Sequence, residues 1–197
     1  MKKFEITAVL EEACKQTLLC RMFLKADPNC YNCFPLKKSE DLFLYMDEQD
    51  FRLDGYVVRR IKDVVEISSK VDLTNDILES EGVTSEIKKI DIDISTWDRV
   101  LSYLSEKRCN AIFESEDRNS GQIDFVIGRI EKKDDRYLFV RGFDVNGQWD
   151  EKPTRIAYSE LVSVSFGTRY VEIFSKYLPV CPVEPEISLV KPESETK

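Results

Sequence analysis

The sequence predicts a mainly β protein with short helices (α+β). It reads as two tandem five-stranded small barrels, each preceded by a short helix. Three observations predict this. Leu42-Phe43-Leu44 returns as Leu138-Phe139-Val140, and Ile61-Lys62-Asp63-Val64-Val65-Glu66-Ile67-Ser68 returns, in the same order, as Tyr158-Ser159-Glu160-Leu161-Val162-Ser163-Val164-Ser165. Short apolar runs are separated by tight turn signals, which favours a sheet of many short strands. Closure of such a sheet removes exposed edges.

The elements follow in order. Residues 6–13 read as a helix with Thr7 as its cap and Glu11 and Glu12 on the polar side. Residues 17–24 form a strand, which Asp27-Pro28-Asn29 ends with turn chemistry. Residues 41–46 form a second strand, Asp54-Gly55 marks a turn or bulge, and 56–68 is a long strand bent near Arg59-Arg60. Residues 71–94 connect the two halves, dividing the chain into 1–70, 71–94, 95–178 and a tail, 179–197. Within the connection, 75–80 is a helical turn ended by Gly82. Ile90-Asp91-Ile92-Asp93-Ile94 alternates as a strand with one buried face. The second half opens with a helix capped by Ser95 or Thr96, whose stripe is Trp97, Val100, Leu101 and Leu104. Lys107 and Arg108 lie in its last turn, where positive charge suits the helix dipole. Strands follow at 109–114, 123–131, 137–144 and 154–166. Turn residues lie between them at Arg118-Asn119-Ser120-Gly121, Lys132-Lys133-Asp134-Asp135 and Val145-Asn146-Gly147. Tyr170, Ile173, Phe174 and Tyr177 fit a closing helix, although Tyr170-Val171-Glu172-Ile173 also fits a strand. Pro179, Pro182, Pro185 and Pro192 mark the tail as extended or disordered and outside the core.

Composition excludes several functions. The 197 residues carry a formal net charge of -8, which opposes a broad surface for nucleic acid or anionic membrane. No run is long and apolar enough to span a bilayer. Glu5, Glu11 and Glu12 interrupt what would be the core of a signal peptide, so the expected location is cytoplasmic. The six cysteines are then expected as reduced thiols. There is no histidine, so nucleophile systems that use one cannot be built. No cofactor and no enzyme activity are expected.

On these residues the second half resembles an Sm-like barrel, an SH3-type small barrel with a helix before five strongly bent strands. Gly128 stands two residues before Ile130, as in that family's first motif. Leu161-Val162-Ser163-Val164, and Val64-Val65-Glu66-Ile67 in the first half, resemble its alternating second motif. The likeness covers most of 95–170 and, more loosely, 5–70. The long fourth strand is also similar to the barrel of WYL-type regulatory domains. The family's RNA pocket does not carry over. Asp134 or Asp135 matches its loop aspartate, but Arg136 and Tyr137 follow where an asparagine belongs. Ser159-Glu160 and Lys62-Asp63 replace its arginine-glycine pair, and an acidic residue there repels phosphate.

Three groups carry candidate chemistry. Cys30-Tyr31-Asn32-Cys33 has the spacing of half a zinc site or a redox pair. No histidine can complete it, and Phe34-Pro35 breaks the helix a redox motif needs, so the plain reading is two thiols in a loop. Asp144, Asn146 and Asp150 space oxygen ligands as a calcium loop does, without completing one. The plain reading there is a hairpin on Asn146-Gly147 with Trp149 packed over the barrel end, and Asp144, Asn146 and Trp149 form a candidate partner-binding loop. Arg52, Tyr56, Arg59 and Arg60 could line single-stranded nucleic acid, although Asp50, Asp54, Asp63 and Glu66 dilute the field. The expected function is a non-enzymatic interaction or adaptor protein that meets a protein partner, with self-association through barrel edges. An RNA- or single-strand-binding protein and a small-ligand sensor are the alternatives.

Overall fold

A computed structural model describes residues 1–25, 27–70, 72–117 and 120–183. Helix α1 (Lys3–Gln16) forms because Ile6, Leu10 and Ala13 recur on one face and are buried there. Glu5 accepts the Lys2 backbone N–H at 2.7 Å, and Thr17 ends the helix in the left-handed region. Five strands follow: β1 (Cys20–Leu24), β2 (Asp27–Lys38), β3 (Leu42–Gln49), β4 (Arg52–Arg60) and β5 (Val64–Ser69). Helix α2 (Leu73–Ser80) lies in the connection, and Thr96 caps α3 (Trp97–Lys107). The second half supplies β6 (Ala111–Glu116), β7 (Ile123–Lys133), β8 (Tyr137–Gly142), β9 (Thr154–Ala157) and β10 (Leu161–Phe166), then α4 (Arg169–Ser175).

The ten strands form one open antiparallel sheet in the order β5-β1-β2-β3-β4-β10-β6-β7-β8-β9. The expectation of closed barrels is overturned. The free side of β4 is taken by β10 of the other half rather than by β5 of its own. Edge groups need a partner, and here the neighbouring half supplies one. Each half nonetheless orders its strands alike: β5-β1-β2-β3-β4, then β10-β6-β7-β8-β9. The registers match too. Cys20 faces Ser69 and Met22 faces Ile67, as Ala111 faces Phe166 and Phe113 faces Val164.

The match between 61–68 and 158–165 therefore holds in the structure, but the match of Leu42 with Leu138 is out by one residue. Ile61 donates its N–H to Asp41 O, and Tyr158 donates to Arg136 O. From those bonds the ladders place Phe43 opposite Arg59 and Leu138 opposite Ile156. Phe43, not Leu42, is the counterpart of Leu138. A one-residue slip flips every side chain to the other face. Phe43 and Tyr45 pack under α1, whereas Leu42 and Leu44 pack in the second core.

That second core holds Val100, Leu101 and Leu104 of α3 against Phe113, Val140 and Val164. It also takes in Ile92 and Ile94, each 1% exposed. The alternation at 90–94 thus buries one face as expected, but the segment joins no ladder. It crosses the back of the first half, where Lys37 Nζ donates to Ile92 O at 2.6 Å. Val57 serves one core and Val58 the other, so β4 is buried on both faces. The long strand expected at 56–68 is two strands joined by a 3-10 turn at Ile61–Asp63. Residues 154–166 likewise divide, into β9 and β10. The alternative at 170–177 resolves as helix, because the Thr168 hydroxyl caps the Val171 N–H. The end of the expected tail, 184–197, and the turn residues 118–119 lie outside the described residues.

Candidate functional site

The junction of the halves carries the densest chemistry. β4 and β10 pair Arg59 with Ser163, Val58 with Val164, Val57 with Ser165 and Tyr56 with Phe166. Arg59 and Arg60 end β4 side by side, and both reach carboxylates on β6. Arg59 reaches Glu114 Oε2 on β6 at 2.9 Å and donates to the Tyr45 hydroxyl at 3.4 Å. Ser163 also donates to Glu114. Arg60 pairs with Asp63 in the 3-10 turn and with Glu116 at 2.9 Å. Both arginines are under a tenth exposed. With Tyr31, whose hydroxyl donates to Asp27, these groups line a cleft of about 120 Å³. Each guanidinium is turned inward onto carboxylates, and the pairs to Glu114 and Glu116 tie the two halves together. Burial drives the Tyr31 and Tyr45 hydroxyls upward and keeps both protonated at neutral pH. The contacts with Glu114 and Tyr45 hold Arg59 firmly charged.

The other members of the expected basic strand lie elsewhere. Tyr56 stacks on Phe166 at 5.6 Å and donates its hydroxyl to Lys88 O at 3.0 Å, which ties the connection to β4. Arg52 is exposed at the start of β4. It lines an open groove toward α4 in which Arg169 and Lys176 alternate with Asp50, Asp54 and Glu172. The four residues therefore form no common surface.

Cys30 and Cys33 are not in a loop, because 27–38 is strand β2. Positions three apart on a strand face opposite sides. Cys30 is exposed and Cys33 is fully buried opposite Cys20, so the two thiols cannot share an ion. Burial pushes the Cys20 thiol up to about 12 and Cys33 well above its ordinary value, which makes both poor nucleophiles. Among the described residues no three Cys, Asp or Glu side chains converge to hold a metal ion.

The 143–150 loop is a tight turn. Asp144 accepts from the Asn146 and Gln148 backbone N–H groups, each at 2.9 Å, and this lowers its carboxyl below the usual range. Gly147 takes φ +75°, which completes the turn. Asp144 and Asn146 are therefore used up within the loop. Trp149 packs edge-on to Phe143 at 5.4 Å and donates to Pro179 O at 3.0 Å. Phe143 stacks on Phe174, and Phe174 on Tyr170, so an aromatic row runs from the loop onto α4. Sequence spacing showed Tyr170 and Phe174 on one helix face, but not that Phe143 and Trp149 would extend the row.

The two outermost strands were not singled out by sequence. On β5, Lys70 donates to Leu19 O, so Arg21 and Ser68 turn their backbone groups to each other. By alternation, the groups of Val65, Ile67 and Ser69 face outward. Met1 lies over part of this side: its amine donates to Val65 O at 2.8 Å, and the Ile67 N–H donates to its sulfur at 3.4 Å. On β9, Tyr158 donates to Arg136 O, which leaves Arg155 and Ala157 facing outward. The Ala157 carbonyl is taken by Glu160 N–H, and no described strand pairs with the outer side of β9.

Asp47 on β3 is the carboxylate most altered by its surroundings. Burial raises it to about 6, against the Gln49 amide, which donates to it at 2.8 Å. A carboxyl raised in the folded state supports the fold below its ordinary value near 3.8, and that support is lost as pH rises through 6. Asp47→Asn is therefore expected to raise stability by about 2 kcal/mol at pH 8 and by far less at pH 4. Urea unfolding at the two pH values checks this, and an equal gain at both would contradict it.

Compared with known proteins, the chain matches no family model, no curated protein and no solved structure.

Proposed function

We propose that this chain is a non-enzymatic interaction protein built from two Sm-like units, and that it engages protein partners through the outer strands of its sheet. The observation that carries this reading is the open sheet itself: β5 and β9 end it with outward backbone groups and no further strand beside them among the described residues. Such edges take an added strand from another chain, with backbone hydrogen bonds as the glue. The unit assignment is supported by the strand order common to both halves and by the helix before each. An RNA role is opposed by the inward pairing of Arg59 and Arg60.

The test is affinity capture from a native cell extract with RNase present. Wild type is compared with Ser69→Pro and Arg155→Pro, each of which removes an outward N–H. Circular dichroism first confirms that the variants fold. Proteins held by wild type and lost from one variant are expected. Capture unchanged in both variants would overturn the edge reading, and capture abolished by RNase would favour nucleic acid.

A further inference from the structure

We infer that the chain's own segment Ile187-Ser188-Leu189 is the cover of the outer face of β8, as Ile90-Asp91-Ile92 is the cover of the first half. This face is separate from the strand edges proposed above to take partners. The internal repeat runs past the last strand of each half. Val64–Ser69 corresponds to Leu161–Phe166, because Ser69 faces Cys20 as Phe166 faces Ala111. The same spacing relates α2 to α4 and sets Leu78 on Ser175. Leu78 packs with Leu19, which stands before β1, and Ser175 accepts the amide of Asn110, which stands before β6, at 2.8 Å. The two helices therefore dock at the same place on their own halves. Carried further along the chain, that spacing sets Ile90-Asp91-Ile92 on Ile187-Ser188-Leu189.

The face beneath is also matched residue by residue. In the first half, Ile92 and Ile94 share a cluster with Leu42, Leu44 and Val58, on the sheet face away from α1. Both second strands shift register at one place, Pro35/Lys37 and Ile130/Lys132. Lys132 thus corresponds to Lys37, Phe139 to Leu44 and Tyr137 to Leu42. Leu42 and Leu44 are 3% and 1% exposed, whereas Tyr137 and Phe139 are half-buried. Arg155 lies over the Tyr137 ring at 4.7 Å and Lys132 over Phe139 at 4.5 Å, and both cations are exposed. Two rings edged by cations suit an apolar strand flanked by acid. Ile187 and Leu189 share one side by alternation. Glu184, Glu186, Glu193 and Glu195 outnumber Lys191 and Lys197 around them. The chain also leaves from the right place. Trp149, packed on Phe143, donates to Pro179 O. Phe143 continues the alternation of Phe139, about 13 Å along the strand, and the stretch from Val183 to Ile187 spans as much. In this register Lys132 donates to the Leu189 carbonyl as Lys37 does to the Ile92 carbonyl.

The experiment reads acetylation of Lys132 by an N-hydroxysuccinimide ester, followed by mass spectrometry. The full chain is compared with a chain ending at Val183, and exposed Lys2 is the internal reference. Lys132 is expected to react about fivefold more slowly in the full chain, the factor a modest local equilibrium gives, with Lys2 unchanged. Ile187→Asp with Leu189→Asp in the full chain should lose that protection. Circular dichroism confirms folding, and the double substitution decides the matter if the shortened chain does not fold. A synthetic peptide of residues 184–197 should restore protection to the shortened chain, and the same residues in scrambled order should not. Protection should not depend on protein concentration, because the segment belongs to the same chain. Equal acetylation of the full and shortened chains overturns the inference, and so does protection that survives the double substitution. Protection that rises with concentration would make a second copy the occupant, and restoration by the scrambled peptide would reduce recognition to charge; either also overturns it.

Discussion

Glu114→Ala is expected to cost about 3–4 kcal/mol, because it strands a buried guanidinium. The Arg59 side chain is 10% exposed, and without Glu114 its remaining hydrogen bond among the described residues is to the Tyr45 hydroxyl, at 3.4 Å. The reverse change should cost less. Arg59→Met keeps the packed stem and leaves a carboxylate whose side chain is 33% exposed and still held by Ser163. About 2 kcal/mol is expected there, since water can reach the orphaned charge. Arg59→Met with Glu114→Gln should recover part of the loss, because removing both charges removes the stranded one. Urea unfolding of the three variants gives the cycle. Equal costs for the two single changes would show that the pair is solvated and that the junction is held by its apolar residues alone.

The same pair shows why part of the site was not legible in the sequence. Arg59 and Arg60 stand beside each other in a basic, aromatic stretch, which is how a nucleic-acid surface reads. Their carboxylates, Glu114 and Glu116, lie more than fifty residues away, and only the β4–β10 junction brings them close. Strand β2 was missed because Pro28 and Pro35 look like breakers. Pro35 is tolerated at a register shift, where the ladder does not need its N–H. What was legible lay in local pattern: the α3 stripe, the alternation that buries Ile92 and Ile94, and the match of 61–68 with 158–165. The Leu42–Leu138 match failed since three apolar residues in a row carry no information about which face each takes. The expectation of closure failed for a related reason. Sequence shows that a strand has edges, but not whose strand will cover them.

Gly128→Ala should be the most damaging small change in the second half, costing more than about 3 kcal/mol. Gly128 sits in β7 between two neighbours, opposite Ala111 on β6 and Gly142 on β8. A methyl group there would overlap the Arg141 carbonyl oxygen and lie 2.8 Å from the Gly142 Cα. Both are backbone atoms of a paired strand and cannot swing aside, so β8 must move or its ladder must break. Gly142→Ala is the control. Its added carbon would meet the Asp150 carboxylate and, at 2.9 Å, the Val126 Cγ2. Those are side-chain ends, and rotation relieves them, so less than half the loss is expected. The difference bears on function because β8 carries β9, an edge proposed to receive a partner's strand. A partly folded Gly128→Ala chain should therefore keep its α1 core and lose the β9 edge first. Hydrogen exchange, read separately on β1 and β9, would show β9 opening while β1 stays protected. Equal tolerance at both glycines would mean that β7 and β8 are not in such close approach.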